Sequence, residues 1–269
     1  MNRYRFFQSR ILSIWYYYLI TALFTGISFF QLVKTPHLNK ISLGDSLVFL
    51  FLGIQPIENI GMLDVFRIPL LWLSLFIFIF YSINITIRPA TGTLNYLLFF
   101  SFKKRVSFWS FKVLLTFSTV FIHFSVILLT SILCVLISGN FFSLTPTQSF
   151  SEYFIGASSS FSNVSIFTNV VFIPWLICST LALLELLVTY FWGELQSFLC
   201  IIAYLVISAF FTSPIFLGNY LMLLRNNVMT SSLSTTQINS YTGLLISIFC
   251  LCFFYVIGWN KIKKWDYTV

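Results

Sequence analysis

Six long apolar runs divide this chain of 269 residues, and its basic residues collect in every second gap between them. Arg3, Arg5 and Arg10 precede the first run. Arg88, Lys103, Lys104, Arg105 and Lys112 fill the gap after the second. Lys261, Lys263 and Lys264 follow the last. Eleven of the fifteen Lys and Arg residues therefore fall in three short stretches that all fit on one side of a bilayer. Loops rich in Lys and Arg stay cytoplasmic. The spacing predicts an integral membrane protein with an even number of crossings and both termini inside the cell.

Composition points the same way. Only 8% of residues are charged and 58% are hydrophobic, against roughly 25% charged in a soluble domain. A run of about 20 apolar residues is the length that spans the hydrocarbon core. A β-barrel would need alternating apolar and polar positions instead of continuous apolar stretches. The net charge of +8 is the by-product of positive-inside loops, so no nucleic-acid partner is expected. The apolar run after Arg10 is too long for a cleaved signal sequence and reads as a first span.

The expected fold is an all-α polytopic membrane protein, a single transmembrane domain over residues 1–269. Its six transmembrane helices are placed at about 11–33, 67–87, 110–137, 170–190, 197–211 and 241–259. Residues 34–66 contain Glu58 and Asp64 close to an apolar stretch that is too short to cross, and are assigned to the outer face. A further span there would also put the C-terminal lysines outside. Residues 138–169 and 212–240 are likewise placed outside.

Motifs for covalent chemistry are missing. The sequence has no phosphate-binding G-x-x-x-x-G-K-[ST] and no H-E-x-x-H. Its two histidines, His37 and His123, stand far apart, and no nucleophile–base arrangement can be assembled. No catalytic residue, metal site or cofactor in this chain is expected. The five cysteines lie in or beside apolar runs and read as small hydrophobes.

Polar residues inside spans are functional candidates by default. Glu185 stands among leucines in the fourth span, and His123 in the middle of the third. Either lines a translocation path, or each is satisfied by a neighbouring helix; Thr119, one turn before His123, is placed to bond it. Gly243 and Ser247, four apart in the last span, would allow close helix approach. Asn84-Ile-Thr86 matches the glycosylation pattern but lies in or beside a span.

The gap after the second run has an organisation of its own. Pro89 and Gly92 break the backbone, and Thr91 or Thr93 is placed to cap a short helix from Leu94 to Phe102. Leu94, Leu97, Leu98 and Ser101 share one face. Lys103, Lys104 and Arg105 then suit its C-terminal dipole. Such a helix is either a docking element for a soluble partner or an interfacial helix carrying topology-setting charges.

The run Ser101-Phe-Lys-Lys-Arg105, followed by Trp109 and Lys112, resembles the cytoplasmic loop of ABC-2-type permease subunits from Gram-positive bacteria. The closer resemblance is to small permeases associated with bacteriocin or lantibiotic export and self-protection. The stretch Gly218-Asn219-x-x-Met222-x-x-Arg225 is similar to an outer motif of those permeases, although Leu217 stands where many members have Pro. The resemblance implies a non-catalytic subunit that pairs with a second permease copy, identical or related. It implies a cytosolic ATP-binding-cassette ATPase dimer as partner, with ATP and Mg bound on that separate chain. It also implies a coupling helix involving Leu94, Tyr96, Leu97, Leu98, Ser101, Lys103, Lys104 and Arg105. A re-entrant or extracellular helical segment is expected between the fifth and sixth spans. Further implications are an amphiphilic, antimicrobial-peptide cargo and a plasma-membrane location among lipids. The partner of Arg225 stays open between Glu58, Asp64, Glu152 and lipid phosphate.

Two other functional classes share the same hydropathy. One is a membrane receptor or immunity protein that acts by binding without an ATPase. The other is an ion-coupled secondary transporter, in which Glu185 and His123 would titrate.

Overall fold

The computed structural model describes residues 11–36, 38, 40–55, 69–87, 102, 105–140, 142–156, 162–227 and 238–263. Seven helices organise them: α1 (Trp15–Val33), α2 (Leu43–Leu50), α3 (Leu70–Ile87), α4 (Arg105–Ile137), α5 (Asn163–Trp192), α6 (Glu194–Phe210) and α7 (Ser240–Lys263). Among the described residues there is no strand; Asn226 and Ile238 form an isolated bridge. Five of the helices, α1, α3, α4, α5 and α7, are long and apolar enough to cross a membrane. The 17-residue α6 is apolar but shorter.

Contacts between helix ends fix the direction of each helix. At one end, Arg105 donates to Lys263 O (3.3 Å) and the Lys112 ammonium to Ile87 O (3.2 Å). Asn84 of α3 reaches Glu194 O at the start of α6 (2.8 Å). Lys261 lies over the Phe191 ring at the end of α5, 4.7 Å from its centroid. At the other end, Gly44 of α2 meets Ser143 beyond α4 (2.9 Å), and Trp72 of α3 donates to Leu221 O (2.9 Å). α3, α4, α5, α6 and α7 thus alternate in direction, and Arg105, Lys112, Lys261 and Lys263 gather at one end.

The expected segments coincide with these helices apart from their ends, and the largest extensions are at α4, α5 and α7. α4 begins at Arg105 instead of 110, because nothing between them breaks a helix; Arg105 opens the spanning helix and does not close the segment before it. α5 begins at Asn163, where the Ser162 hydroxyl caps it by accepting from Ser165 N (3.2 Å). Its polar first turns continue through a π-helical stretch, Phe167–Phe172. α7 runs on to Lys263, where its last-turn lysines complement the helix dipole.

The described part of residues 34–66 lies at the end away from Arg105 and Lys263. Their apolar stretch forms α2, and seven of its eight residues are buried. A capping box starts it: Ser42 Oγ accepts from Asp45 N (3.0 Å) while Asp45 Oδ2 accepts from Ser42 N (2.8 Å).

α5 is the central element, with 78% of its apolar window buried against 17% for α7. It packs on α3, α4, α6 and α7. Outward faces carry large apolar side chains, including Leu19, Leu23 and Ile27 on α1, Phe121 and Leu129 on α4, and Leu245, Phe249 and Phe253 on α7. A surface of this kind, on helices whose backbone bonds are internal, is compatible with a multi-pass membrane protein. Buried hydroxyls inside it, such as Thr21, Thr25, Thr116 and Thr119, donate to carbonyls one turn back in their own helices.

Candidate functional site

Three buried polar clusters interrupt the apolar interior. The first joins α1, α3 and α4 around His123. Its Nδ1 lies 3.0 Å from Thr21 Oγ1 and its Nε2 2.5 Å from Ser82 Oγ. Tyr18 packs edge-on to the ring at 4.7 Å. Thr21 and Ser82 each also reach a carbonyl of their own helix, Tyr17 O (2.9 Å) and Ile79 O (2.7 Å), so in the neutral ring one nitrogen donates to one hydroxyl and the other nitrogen accepts from the other. The expected partner Thr119 is not used; its hydroxyl donates to Leu115 O (3.0 Å). The ring is fully buried.

The second cluster joins α3, α5 and α6 around Glu185, also fully buried. Asn84 Nδ2 donates to Glu185 Oε1 (3.1 Å) and to Glu194 O (2.8 Å), and lies 3.4 Å from Ser197 Oγ. Ser197 donates to Glu194 O (2.7 Å), and Thr189 lies 2.8 Å from both Ser197 Oγ and Glu185 O. Glu185 Oε2 has no hydrogen-bond partner among the described residues. The interior position of Asn84 makes its glycosylation pattern irrelevant.

The third cluster sits at the opposite end and contains all four residues of the outer motif. Arg225 donates through Nε to Ile54 O (3.1 Å), through Nη1 to Ser208 O (2.7 Å) and Asn219 Oδ1, and through Nη2 to Ala209 O (2.5 Å). Asn219 Nδ2 donates to Phe211 O and Ser213 O, both at 2.9 Å. Gly218 lies so close to Ser208 that a Cβ would stand 2.0 Å from its hydroxyl oxygen. Met222 packs on Gly53, whose φ of +69° and 2.5 Å Cβ clearance both require glycine. The surrounding 3₁₀ turns, Leu217–Leu221 and Leu223–Arg225, are buried. They are tied to the chain after α2 by Leu223 N to Phe51 O (2.9 Å) and Leu224 N to Leu52 O (3.1 Å).

Arg225 therefore pairs with neither Glu152 nor lipid. Backbone carbonyls, two of them from the last turn of α6, take the guanidinium charge, as a helix C-terminus favours. Burial lowers its pKa to about 10, so it stays cationic at neutral pH. Glu58 and Asp64 lie outside the described residues.

Leu94, Tyr96, Leu97, Leu98, Ser101, Lys103 and Lys104 also lie outside the described residues. Of the expected coupling residues, Arg105 alone is placed, at the start of α4. His123 and Glu185 do not meet each other: α3 separates them, turning Ser82 to one and Asn84 to the other. Among the described residues no group of three His, Cys, Asp or Glu side chains converges on a metal site, and all five cysteines are free.

Sequence reasoning overlooked Ser82, Asn84 and the Asp45–Thr147 pair. Asp45 Oδ1 accepts from Thr147 N (2.7 Å) and Oδ2 from Thr147 Oγ1 (2.9 Å), tying α2 to the loop after α4. The signal for Asp45 was present as the capping-box spacing Ser42-x-x-Asp45. Ser82 and Asn84 were visible only as polar interruptions of an apolar run.

No protein-family model, curated protein or solved structure matches this chain.

Proposed function

We propose that the chain is the transmembrane subunit of an ATP-binding-cassette transporter of the ABC-2 type. In this reading α1, α3, α4, α5, α6 and α7 cross the plasma membrane of a Gram-positive bacterium, with both termini and the basic end cytoplasmic. Two such subunits form the translocation unit. A cytosolic ATPase dimer engages the segment between α3 and α4, and its ATP-driven closure reshapes the interface between the subunits. The cargo is amphiphilic, an antimicrobial peptide by the resemblance of the loop and outer motif, and moves outward across or out of the membrane. The chain itself is not an enzyme.

The observation that carries this reading is the closure of Gly218, Asn219, Met222 and Arg225 into one buried knot at the end away from Arg105, Lys112, Lys261 and Lys263. A motif read as outer-face by resemblance and a basic end read as cytoplasmic by charge lie at opposite ends of the same helices.

The test is purification of the tagged, folded protein in mild detergent from its own host. Co-purification of one nucleotide-binding subunit in stoichiometric amount, with ATP turnover, is expected. Charge reversal at Lys103, Lys104 and Arg105 should lower that turnover while membrane insertion is retained. A folded protein that brings down no ATPase subunit sinks the proposal and favours a receptor or immunity protein acting by binding.

A further inference from the structure

The geometry points to Glu185 as a proton-binding site, with the carboxyl group held in its neutral acid form at the junction of α3, α5 and α6. The inference does not depend on the transporter reading.

Three observations carry it. Glu185 is completely enclosed inside the bundle. Its sole side-chain partner is the neutral Asn84, bonded at Oε1, and Oε2 is orphaned. No cationic side chain pairs with it among the described residues. An ionised carboxylate in that setting leaves a full charge desolvated with one donor, whereas the acid form removes the charge altogether.

The rest of the cluster agrees. The Asn84 amide has two hydrogens and three acceptors in reach, namely Glu185 Oε1, Glu194 O and Ser197 Oγ. Ser197 and Thr189 each have one hydroxyl hydrogen and direct it within the same group. The two amide hydrogens of Asn84 are already shared among these acceptors, so no second donor turns to Glu185, and a proton on Oε2 removes the charge without requiring a cavity. A metal cation would need converging oxygen ligands around a space, yet Asn84 fills the centre of the group with its NH₂.

The charged and titratable groups near this level on the neighbouring elements are few. Lys112 of α4 directs its ammonium to Ile87 O (3.2 Å). Glu194 of α6 contributes its backbone carbonyl to the cluster. On α7, Tyr255 Oη is bonded to Ser110 Oγ (2.9 Å) and Lys261 lies over Phe191. α3 offers Asn84 and, further out, Tyr81, whose ring packs on Phe198 and Tyr17.

Infrared spectroscopy of the protein in lipid bilayers tests this. At neutral pH the unaltered protein should show a carboxylic-acid carbonyl band that shifts on ¹³C-glutamate labelling. The band should vanish in Glu185→Gln and persist in Glu152→Gln and Glu194→Gln. If Glu185→Gln fails to fold, a labelled acid band that persists in Glu58→Gln, Glu152→Gln and Glu194→Gln assigns it to Glu185 by elimination. Absence of any glutamate-derived acid band at neutral pH overturns the proposal. So does a thermal midpoint that rises with sodium or potassium chloride but not choline chloride, which would reassign the group as a carboxylate holding a metal ion.

Discussion

Arg225 donates to the carbonyl of Ala209 at 2.5 Å, closing the last turn of α6 with a charge from a segment sixteen residues further along the chain. A second carbonyl of that turn, Ser208 O, takes Nη1. Terminal helix carbonyls have no partner inside the helix, and here a buried guanidinium satisfies two at once. The 17-residue α6 is thereby fastened to the chain after α2 through Ile54 O.

Arg225→Ala should accordingly be among the most damaging single changes. It leaves buried carbonyls and Asn219 Oδ1 unpaired, at about 1–3 kcal/mol for each buried group left unsatisfied, and a total loss of at least about 3 kcal/mol is expected. Arg225→Lys keeps the charge but not the fork geometry and should fall between. Unfolding in mixed detergent reads both; an Arg225→Ala midpoint equal to that of the unaltered protein would refute the closing role.

Asp45 gives a pH-dependent prediction. Burial pushes its carboxyl up from the usual range, while bonds from Ser42 and Thr147 pull the other way; burial is the larger effect. A folded-state pKa above the unfolded one means that the folded chain holds its proton more tightly. The stability this contributes is present at acid pH, below the unfolded value, and is lost as pH rises through the folded value. The unaltered protein should therefore lose stability relative to Asp45→Asn across that rise. A difference between the two that stays flat with pH counts against the assignment. Asp45→Ala should lose about 1 kcal/mol at acid pH through the broken cap, a loss that shrinks as pH rises.

Much of the fold was legible because the physics is one-dimensional. Apolar runs long enough to span, separated by charge, located all six major helices, and the errors fall at their ends. Those ends depend on local contacts: the Ser162 cap extends α5, and the Arg105–Lys263 contact anchors the start of α4. α2 was missed as a buried helix because its eight residues are too few to span, and only its packing on α1 and α4 keeps it inside. The candidate site was half legible. His123 and Glu185 stood out as titratable groups in apolar runs, but their partners are ordinary Ser, Thr and Asn residues 41 to 102 positions away. The partners of Arg225 are backbone carbonyls, which carry no sequence signature at all.

His123 supports a prediction that runs against intuition for a buried histidine. Thr21 and Ser82 both lie within hydrogen-bond range of carbonyls in their own helices, at 2.9 Å from Tyr17 O and 2.7 Å from Ile79 O. Replacing the imidazole by an apolar ring leaves neither hydroxyl orphaned, so His123→Phe should cost only about 1 kcal/mol. Ser82→Ala leaves the buried Nε2 without its partner and should cost as much or more, about 1–3 kcal/mol. A double-mutant cycle should show Ser82→Ala becoming nearly neutral in the His123→Phe background. Full additivity would mean that the 2.5 Å contact contributes nothing.

Two glycines in spanning helices should respond oppositely to the same change. A Cβ on Gly243 of α7 would stand 2.4 Å from the Tyr220 ring, which is itself buried and held by its hydroxyl on Pro214 O (2.9 Å). The ring has no room to yield, so Gly243→Ala should destabilise by about 1–3 kcal/mol through overpacking. A Cβ on Gly26 of α1 would meet nothing within 4 Å. Gly26→Ala should therefore stabilise by roughly 0.5–1 kcal/mol through helix propensity. Unfolding midpoints of the two variants, measured under one detergent condition, should move in opposite directions. A Gly243→Ala midpoint that does not fall would show that α7 does not dock on the Gly218–Arg225 knot through the Gly243 face.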